Sequence, residues 1–217
     1  MPFLQPATNN YFGFMPATAN AQVNYYNVSS SEAGDINMGD VVVLTSIGTV
    51  KVAPTGGLAS LMAGVAANFL ANGTGSLTAK PNSETSRLLL VYDDPHQLFV
   101  GCDTTSGAAI ASTAYASTST ENEWVGHTVT VLTTGAVGST GPSGTLHRSV
   151  MAVSGVVSTH GADTGVFKIL GMHPIEAGIM STAALFAAGA AGNVRKLLLR
   201  PSTHQLFGPT VVPVSTG

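Results

Sequence analysis

Short runs of β-branched and aliphatic residues, cut off by turn-forming residues, recur from residue 41 to the end of the chain, and they constrain the fold more than any other feature. Val41-Val42-Val43-Leu44 and Gly48-Thr49-Val50-Lys51-Val52 flank a short loop and predict a hairpin. Arg87 to Tyr92 and Gln97 to Val100 predict a second pair around Asp93-Asp94-Pro95-His96, and Thr128-Val129-Thr130-Val131 alternates with the period of two that a strand requires. Val166 to Leu170 and Lys196 to Leu199 read as later strands, and Thr210 to Val214 as an edge strand because Pro213 cannot donate to a ladder. Loops rich in Gly, Ser and Thr, such as Thr133 to Thr145, separate these runs. Helical candidates are few: Leu58 to Leu70, and the Ala-rich Ile179 to Ala191, weakened by Gly189. The expected fold is therefore mainly β: a compact β-barrel or β-sandwich body over residues 32–217, with one or two short helices.

One pattern occurs twice. Arg87-Leu88-Leu89-Leu90 followed by His96-Gln97-Leu98-Phe99 returns as Lys196-Leu197-Leu198-Leu199 followed by His204-Gln205-Leu206-Phe207, with one residue fewer in the second turn. The flanks do not align, so two equivalent hairpins within one body are expected rather than two copied domains.

The first 31 residues are different. They hold no Asp, Glu, Lys or Arg, yet carry Phe3, Tyr11, Phe12, Phe14, Tyr25 and Tyr26, six of the fourteen aromatics. Pro6-Ala7-Thr8-Asn9-Asn10 is echoed by Pro16-Ala17-Thr18-Ala19-Asn20, and three prolines and five asparagines oppose helix and regular sheet. Residues 1–31 are read as an extended N-terminal arm with aromatic studs, which must pack on its own body or on a neighbouring subunit. Those six aromatics are the candidate partner-binding residues.

Composition narrows the function. Charged residues make up 9% of the chain, against about 25% in an ordinary soluble protein. The surface must be covered by hydroxyls, amides and backbone, a poor supply for acid–base catalysis. The net charge of −3 and the absence of any basic run beyond Arg195-Lys196 argue against a nucleic-acid partner. The single cysteine, Cys102, excludes an internal disulfide framework and a Cys-cluster zinc site. Met1 to Gln22 has no basic, then apolar, sequence of a secretory signal, and neither Leu58 to Ala71 nor Ala177 to Val194 reads as a membrane span.

Asp93, Asp94 and His96, with Cys102 and Asp103 nearby, form the densest group of potential ligands or acid–base residues, and a small metal-dependent hydrolase would use them. The competing reading is a β-turn, since Asp-Asp-Pro is strong turn chemistry. The repeat favours the turn: its second copy has Arg200-Pro201-Ser202-Thr203 in place of the acidic pair and still keeps His, Gln, Leu and Phe. None of the histidines at 96, 127, 147, 160, 173 and 204 is spaced as a metal pair. Gly141-Pro142-Ser143-Gly144 misses the nucleophile elbow by one position, and Gly73-Thr74-Gly75 lacks the rest of a phosphate loop. Trp124 is read as a core or rim anchor. No catalytic, metal or cofactor-binding residue is assigned.

Leu90-Val91-Tyr92-Asp93-Asp94-Pro95-His96-Gln97-Leu98-Phe99 resembles the auxiliary capsid proteins of tailed bacteriophages, the decoration or cement proteins: an apolar strand, Asp-Asp-Pro, a polar pair, then an aromatic. Gly39-Asp40-Val41-Val42 followed by Met62-Ala63-Gly64-Val65-Ala66, the strand Val166 to Gly171, and a late strand from Leu197 to Gln205 extend the resemblance over roughly residues 35–207. The chain departs from the pattern at Arg200-Pro201, ahead of the late histidine. The resemblance implies a virion structural protein without enzymatic activity or cofactor. It would bind the outer surface of the major capsid protein and join adjacent capsomers, as a homotrimer or other homo-oligomer, without nucleic-acid or membrane contact. A head-fibre or tail component touching the host is the alternative virion role, although no repetitive shaft or separate knob is evident.

Overall fold

The computed structural model describes residues 13–32, 35–54, 62–68, 87–102, 125–132, 149, 151–157, 165–172, 196–202 and 204. In chain order the strands are β1 (Met15–Pro16), β2 (Val23–Asn27), β3 (Val41–Leu44), β4 (Val50–Val52), β5 (Met62–Ala66), β6 (Leu88–Tyr92), β7 (Phe99–Cys102), β8 (Thr128–Leu132), β9 (Ala152–Val157), β10 (Phe167–Met172) and β11 (Lys196–Pro201). They form two antiparallel sheets, β1-β7-β11-β10-β8-β9 and β2-β6-β5-β3-β4. None of the described residues is helical. The mainly β expectation holds, and the architecture is a sandwich of two sheets rather than a closed barrel.

The larger core joins the sheets. Phe99, Val129, Val131, Val153, Phe167, Ile169, Leu197 and Leu199 of the first sheet pack with Val41, Val43, Met62 and Val65 of the second. Each such side chain, fully buried, contributes about 1.5–3 kcal/mol relative to exposure. Alternation sends Val42, Leu89 and Val91 to the opposite face of the second sheet, and a register shift between β3 and β5 brings both Ala63 and Ala66 there as well; together they meet Ile36 and Val50 in a separate cluster. The second sheet thus buries both faces, the second by curling around itself. A bridge between Val28 and Val50 draws its two edges together, with the Ser29 N–H donating to the Val50 carbonyl at 2.8 Å, short of a continuous ladder.

Three sequence expectations need correction. The proposed helix over 58–70 contains β5, a central strand between β3 and β6. Ala, Met and Leu favour a helix locally, but here tertiary packing overrides that preference. Ala63 and Ala66 are small enough for the crowded inner face, and at Gly64 any Cβ would fall onto the Tyr92 carbonyl. Second, regular sheet does form within the first 31 residues: β2 pairs with β6 in unbroken register from Val23↔Tyr92 to Asn27↔Leu88. The three prolines lie at 2, 6 and 16, so none interrupts this ladder.

Third, the repeated element is not a hairpin. β6 lies in the second sheet and β7 in the first, so Asp93 to Leu98 is a corner that carries the chain between layers. The other copy crosses in the opposite sense: β11 belongs to the first sheet, and His204 bridges Met62 in the second. The hairpin expected from Val41 to Val52 does form, with Val42 opposite Val52. The helix expected over 179–191 and the edge strand over 210–214 lie outside the described residues.

Candidate functional site

The Asp93–Leu98 corner gathers the polar residues that the sequence singled out. Asp93 is buried. Its Oδ1 and Oδ2 accept hydrogen bonds from Asn24 Nδ2 at 3.0 and 2.9 Å, and Oδ2 accepts a third from the Tyr26 hydroxyl at 2.8 Å. Both donors come from β2, whose ladder with β6 places alternate side chains beside the corner. Asp94 Oδ1 accepts the His96 N–H at 2.8 Å, and the Asp94 carbonyl accepts the Gln97 N–H at 3.0 Å, the local pattern of an Asp-initiated turn. Gln97 Nε2 donates to Thr18 Oγ1 at 3.1 Å and to the Leu98 carbonyl at 2.7 Å, while the Ala17 N–H donates to that same carbonyl at 2.8 Å.

The corner is therefore a clasp that fastens residues 17–26 to the body. His204, from the second copy of the repeat, approaches the same place. Burial holds its pKa below the ordinary histidine range, against a backbone hydrogen bond with Ala63 and the nearby charges of Asp93 and Asp94. The two corners converge, and the polar groups of the Asp93–Leu98 corner are engaged in folding. Among the described residues no three His, Cys, Asp or Glu side chains gather as a metal site. Asp93→Ala leaves the Asn24 amide and Tyr26 hydroxyl without their acceptor and is expected to cost about 1–3 kcal/mol. Asp94→Ala, at a more open position, is expected to cost about 1 kcal/mol or less. Urea unfolding of the two variants reads the difference, and equal losses would contradict the clasp.

The six candidate aromatics separate. Phe14 is buried in the main core; Tyr26 is half-buried, its hydroxyl on Asp93; Tyr25 is 70% exposed. Phe3, Tyr11 and Phe12 lie outside the described residues, as do Trp124, Ser143 and the 73–75 glycine segment. Apolar groups that the sequence reading did not select are exposed beside Tyr25: Val23 on the same strand, at 39%, and Leu88 on β6, at 56%. Val23, Tyr25 and Asn27 stand opposite Tyr92, Leu90 and Leu88, so these side chains share one face of the sheet.

A second apolar group stands at the tip of the β3–β4 hairpin. Ile47 is 77% exposed on a turn held by Thr45 N–H to Thr49 carbonyl (2.7 Å), Gly48 N–H to Thr45 carbonyl (3.0 Å) and the Thr45 and Thr49 hydroxyls, 2.7 Å apart. Gly48 adopts φ +79°, which a side chain would resist. A β-branched residue between Ser46 and Gly48 was the available signal, because turn tips are ordinarily polar. Comparison of the chain with protein-family models, curated proteins and solved structures found no match.

Proposed function

We propose that this is a non-enzymatic virion structural protein, a β-rich decoration or cement protein that binds the outer surface of a phage major capsid protein and ties neighbouring capsomers together. The observation that carries the reading is how the side chains are spent. Asp93, Asp94 and Gln97 are committed to a structural clasp, whereas Ile47, Tyr25 and Leu88 are held out to solvent on hydrogen-bonded backbone. That distribution suits attachment to another surface better than turnover of a substrate. The resemblance over residues 90–99 supplies the virion context. Contacts built from apolar and hydroxyl groups lose little strength when salt changes, which suits a particle that leaves the cell. Many copies on a fixed lattice also turn modest individual contacts into durable attachment.

Co-sedimentation with undecorated shells tests the reading. The protein is expected to saturate the shells at a fixed stoichiometry, with little change in affinity as salt is raised. Ile47→Asp leaves the turn hydrogen bonds in place and is expected to weaken binding about tenfold or more, since burying an isoleucine contributes about 1.5–3 kcal/mol. Wild-type protein that stays in the supernatant at every shell concentration would overturn the proposal.

A further inference from the structure

We propose that the outer edge of β2 is a self-association surface, and that two copies of this chain join there by antiparallel pairing about a two-fold axis through Tyr25. The strand has an open edge. β2 is the terminal strand of its sheet, and among the described residues none pairs with its outer side between Val23 and Asn27. The phase of its backbone follows from the hydrogen bonds that continue it. Val28 N–H points inward to the Arg87 carbonyl at 2.9 Å, and Ser29 N–H points outward to the Val50 carbonyl. Alternation then directs the N–H and C=O groups of Val23, Tyr25 and Asn27 outward.

Edge strands of stable monomers ordinarily carry a charge, a proline or a bulge that discourages pairing. Val23-Asn24-Tyr25-Tyr26-Asn27 has none of these, and its register with β6 is unbroken. Of the three other edges, β1 is two residues long and ends in Pro16, β9 has a broken register with β8 between Val129 and Val131, and β4 is three residues long, its Val50 meeting Val28 just beyond the end of β2.

The register and the charge both select a second copy as the occupant. A two-fold axis through Tyr25 places Tyr25 opposite Tyr25 of the second copy, and Val23 opposite its Asn27. Every outward backbone group of the strand then gains a partner, with two hydrogen bonds from each residue pair. Like charges directly opposite would destabilise such a ladder, but residues 1–31 contain no charged side chain, so self-pairing meets no repulsion. Any other protein would have to offer a free strand of matching length, which the second copy has by identity. The side chains agree with the backbone. Across the axis the exposed face reads Leu90, Tyr25, Tyr25, Leu90, flanked by rows in which Leu88 and Asn27 meet Val23 and Tyr92, so the 56% exposed Leu88 and 70% exposed Tyr25 join one apolar band. The pairing does not depend on the capsid reading, and shell binding is measured separately from it.

Sedimentation velocity of the full chain, from micromolar to millimolar, should show a reversible monomer–dimer equilibrium. Tyr25→Pro removes only an outward N–H, so the β2–β6 ladder survives. It should keep the wild-type circular dichroism and raise the dimer dissociation constant about tenfold or more through the two lost hydrogen bonds. Site-directed crosslinking tests the register independently of that variant's folding. In a Cys102→Ser background, Tyr25→Cys places the two thiols at an antiparallel hydrogen-bonded pair. Its Cα separation of about 5.5 Å falls within disulfide range. Oxidation should link Tyr25→Cys to itself, and Val23→Cys to Asn27→Cys when the two are mixed, but not Val23→Cys to itself. A chain that stays monomeric at millimolar concentration, a trimer, or self-linkage at Val23→Cys as efficient as at Tyr25→Cys would each overturn the proposal.

Discussion

Phe14→Ala is expected to lower the folding free energy by about 3–5 kcal/mol, the loss seen when a large buried aromatic is cut back and its cavity cannot collapse. Phe14 has no exposed surface; its ring stacks on Phe167 at 4.7 Å between centroids, and Phe167 in turn meets Phe99 edge-on at 5.9 Å. The surroundings cannot close the gap. Gly101 lies directly beneath the ring, and the Phe14 N–H is anchored to the Gly39 carbonyl at 2.9 Å. Gly13, at φ +65°, brings the chain into this slot where a Cβ would collide with Ser149. Urea unfolding measures the loss, and a change below about 1 kcal/mol would contradict the packing.

This prediction alters how attachment should be tested. Deleting Met1 to Ser30 is the direct way to ask whether an N-terminal arm holds the protein to a shell, and weakened attachment is the outcome expected of an arm. The same deletion also removes Phe14, β1 and β2. Loss of shell binding in that variant would therefore report unfolding. A truncation that stops before Gly13, or substitutions at exposed positions, separates attachment from stability.

The second large effect concerns pH. Asp40 is buried just ahead of β3, with Oδ2 accepting the Asn37 N–H at 2.7 Å and a further hydrogen bond from the Ser149 side chain. Burial raises its pKa from 3.8 to about 6, against those hydrogen bonds, and the charge of Glu32 adds a little in the same direction. Between these values the folded protein keeps a proton that the unfolded chain has released. Asp40 therefore contributes stability that is full below about pH 4 and is lost as pH rises to about 6, a change of about 3 kcal/mol. His204 works the other way: its lowered pKa means stability is lost as pH falls below the ordinary value of 6.5.

Comparison with Asp40→Asn cancels the histidine, which both proteins share. The asparagine can accept from Asn37 and pair with Ser149 without ever ionising. Its stability relative to wild type should therefore rise by about 3 kcal/mol from pH 4 to pH 7. Denaturant melts at several pH values read this, and a difference independent of pH would contradict a buried, protonated Asp40.

Residue pattern and outcome agree where local chemistry and tertiary demand coincide. Val41 to Leu44, Thr128 to Val131 and Lys196 to Leu199 are β-branched or aliphatic runs flanked by turn residues, and each lies within a strand. The Asp-Asp-Pro segment reads as a turn and folds as one, because Asp94 accepts the His96 N–H two residues on, a bond that needs nothing from the rest of the chain. β5 was illegible for the opposite reason. Met62-Ala63-Gly64-Val65-Ala66 looks helical, and only tertiary contacts account for its small residues as a strand: a Cβ at Gly64 would strike the Tyr92 carbonyl, and Ala63 and Ala66 are fully buried in the second cluster. β9 was not anticipated, and its Ser154 and Gly155 weaken the strand pattern.

The candidate surface shows the same division. Six aromatics in a charge-free segment were selected as one group, since composition treats them alike. The structure sends Phe14 inward, turns Tyr26 to Asp93 and leaves Tyr25 outside. Tyr25 and Tyr26 differ only in which side of β2 they occupy, and one step along a strand exchanges core for solvent.

The sequence alone therefore determined that this chain builds sheet, that it turns after Leu44 and around Asp94-Pro95-His96, and that its surface must do without charge. Those properties follow from side-chain branching, turn chemistry and composition, which act over a few residues. Only the tertiary structure decided which strands share a sheet. It turned each repeated motif into a corner between layers, and it chose which aromatic faces outward. Pairing and layering are settled by contacts between residues far apart in the chain, such as Asn24 with Asp93 or Met62 with His204. No local pattern encodes which of several similar strands will meet.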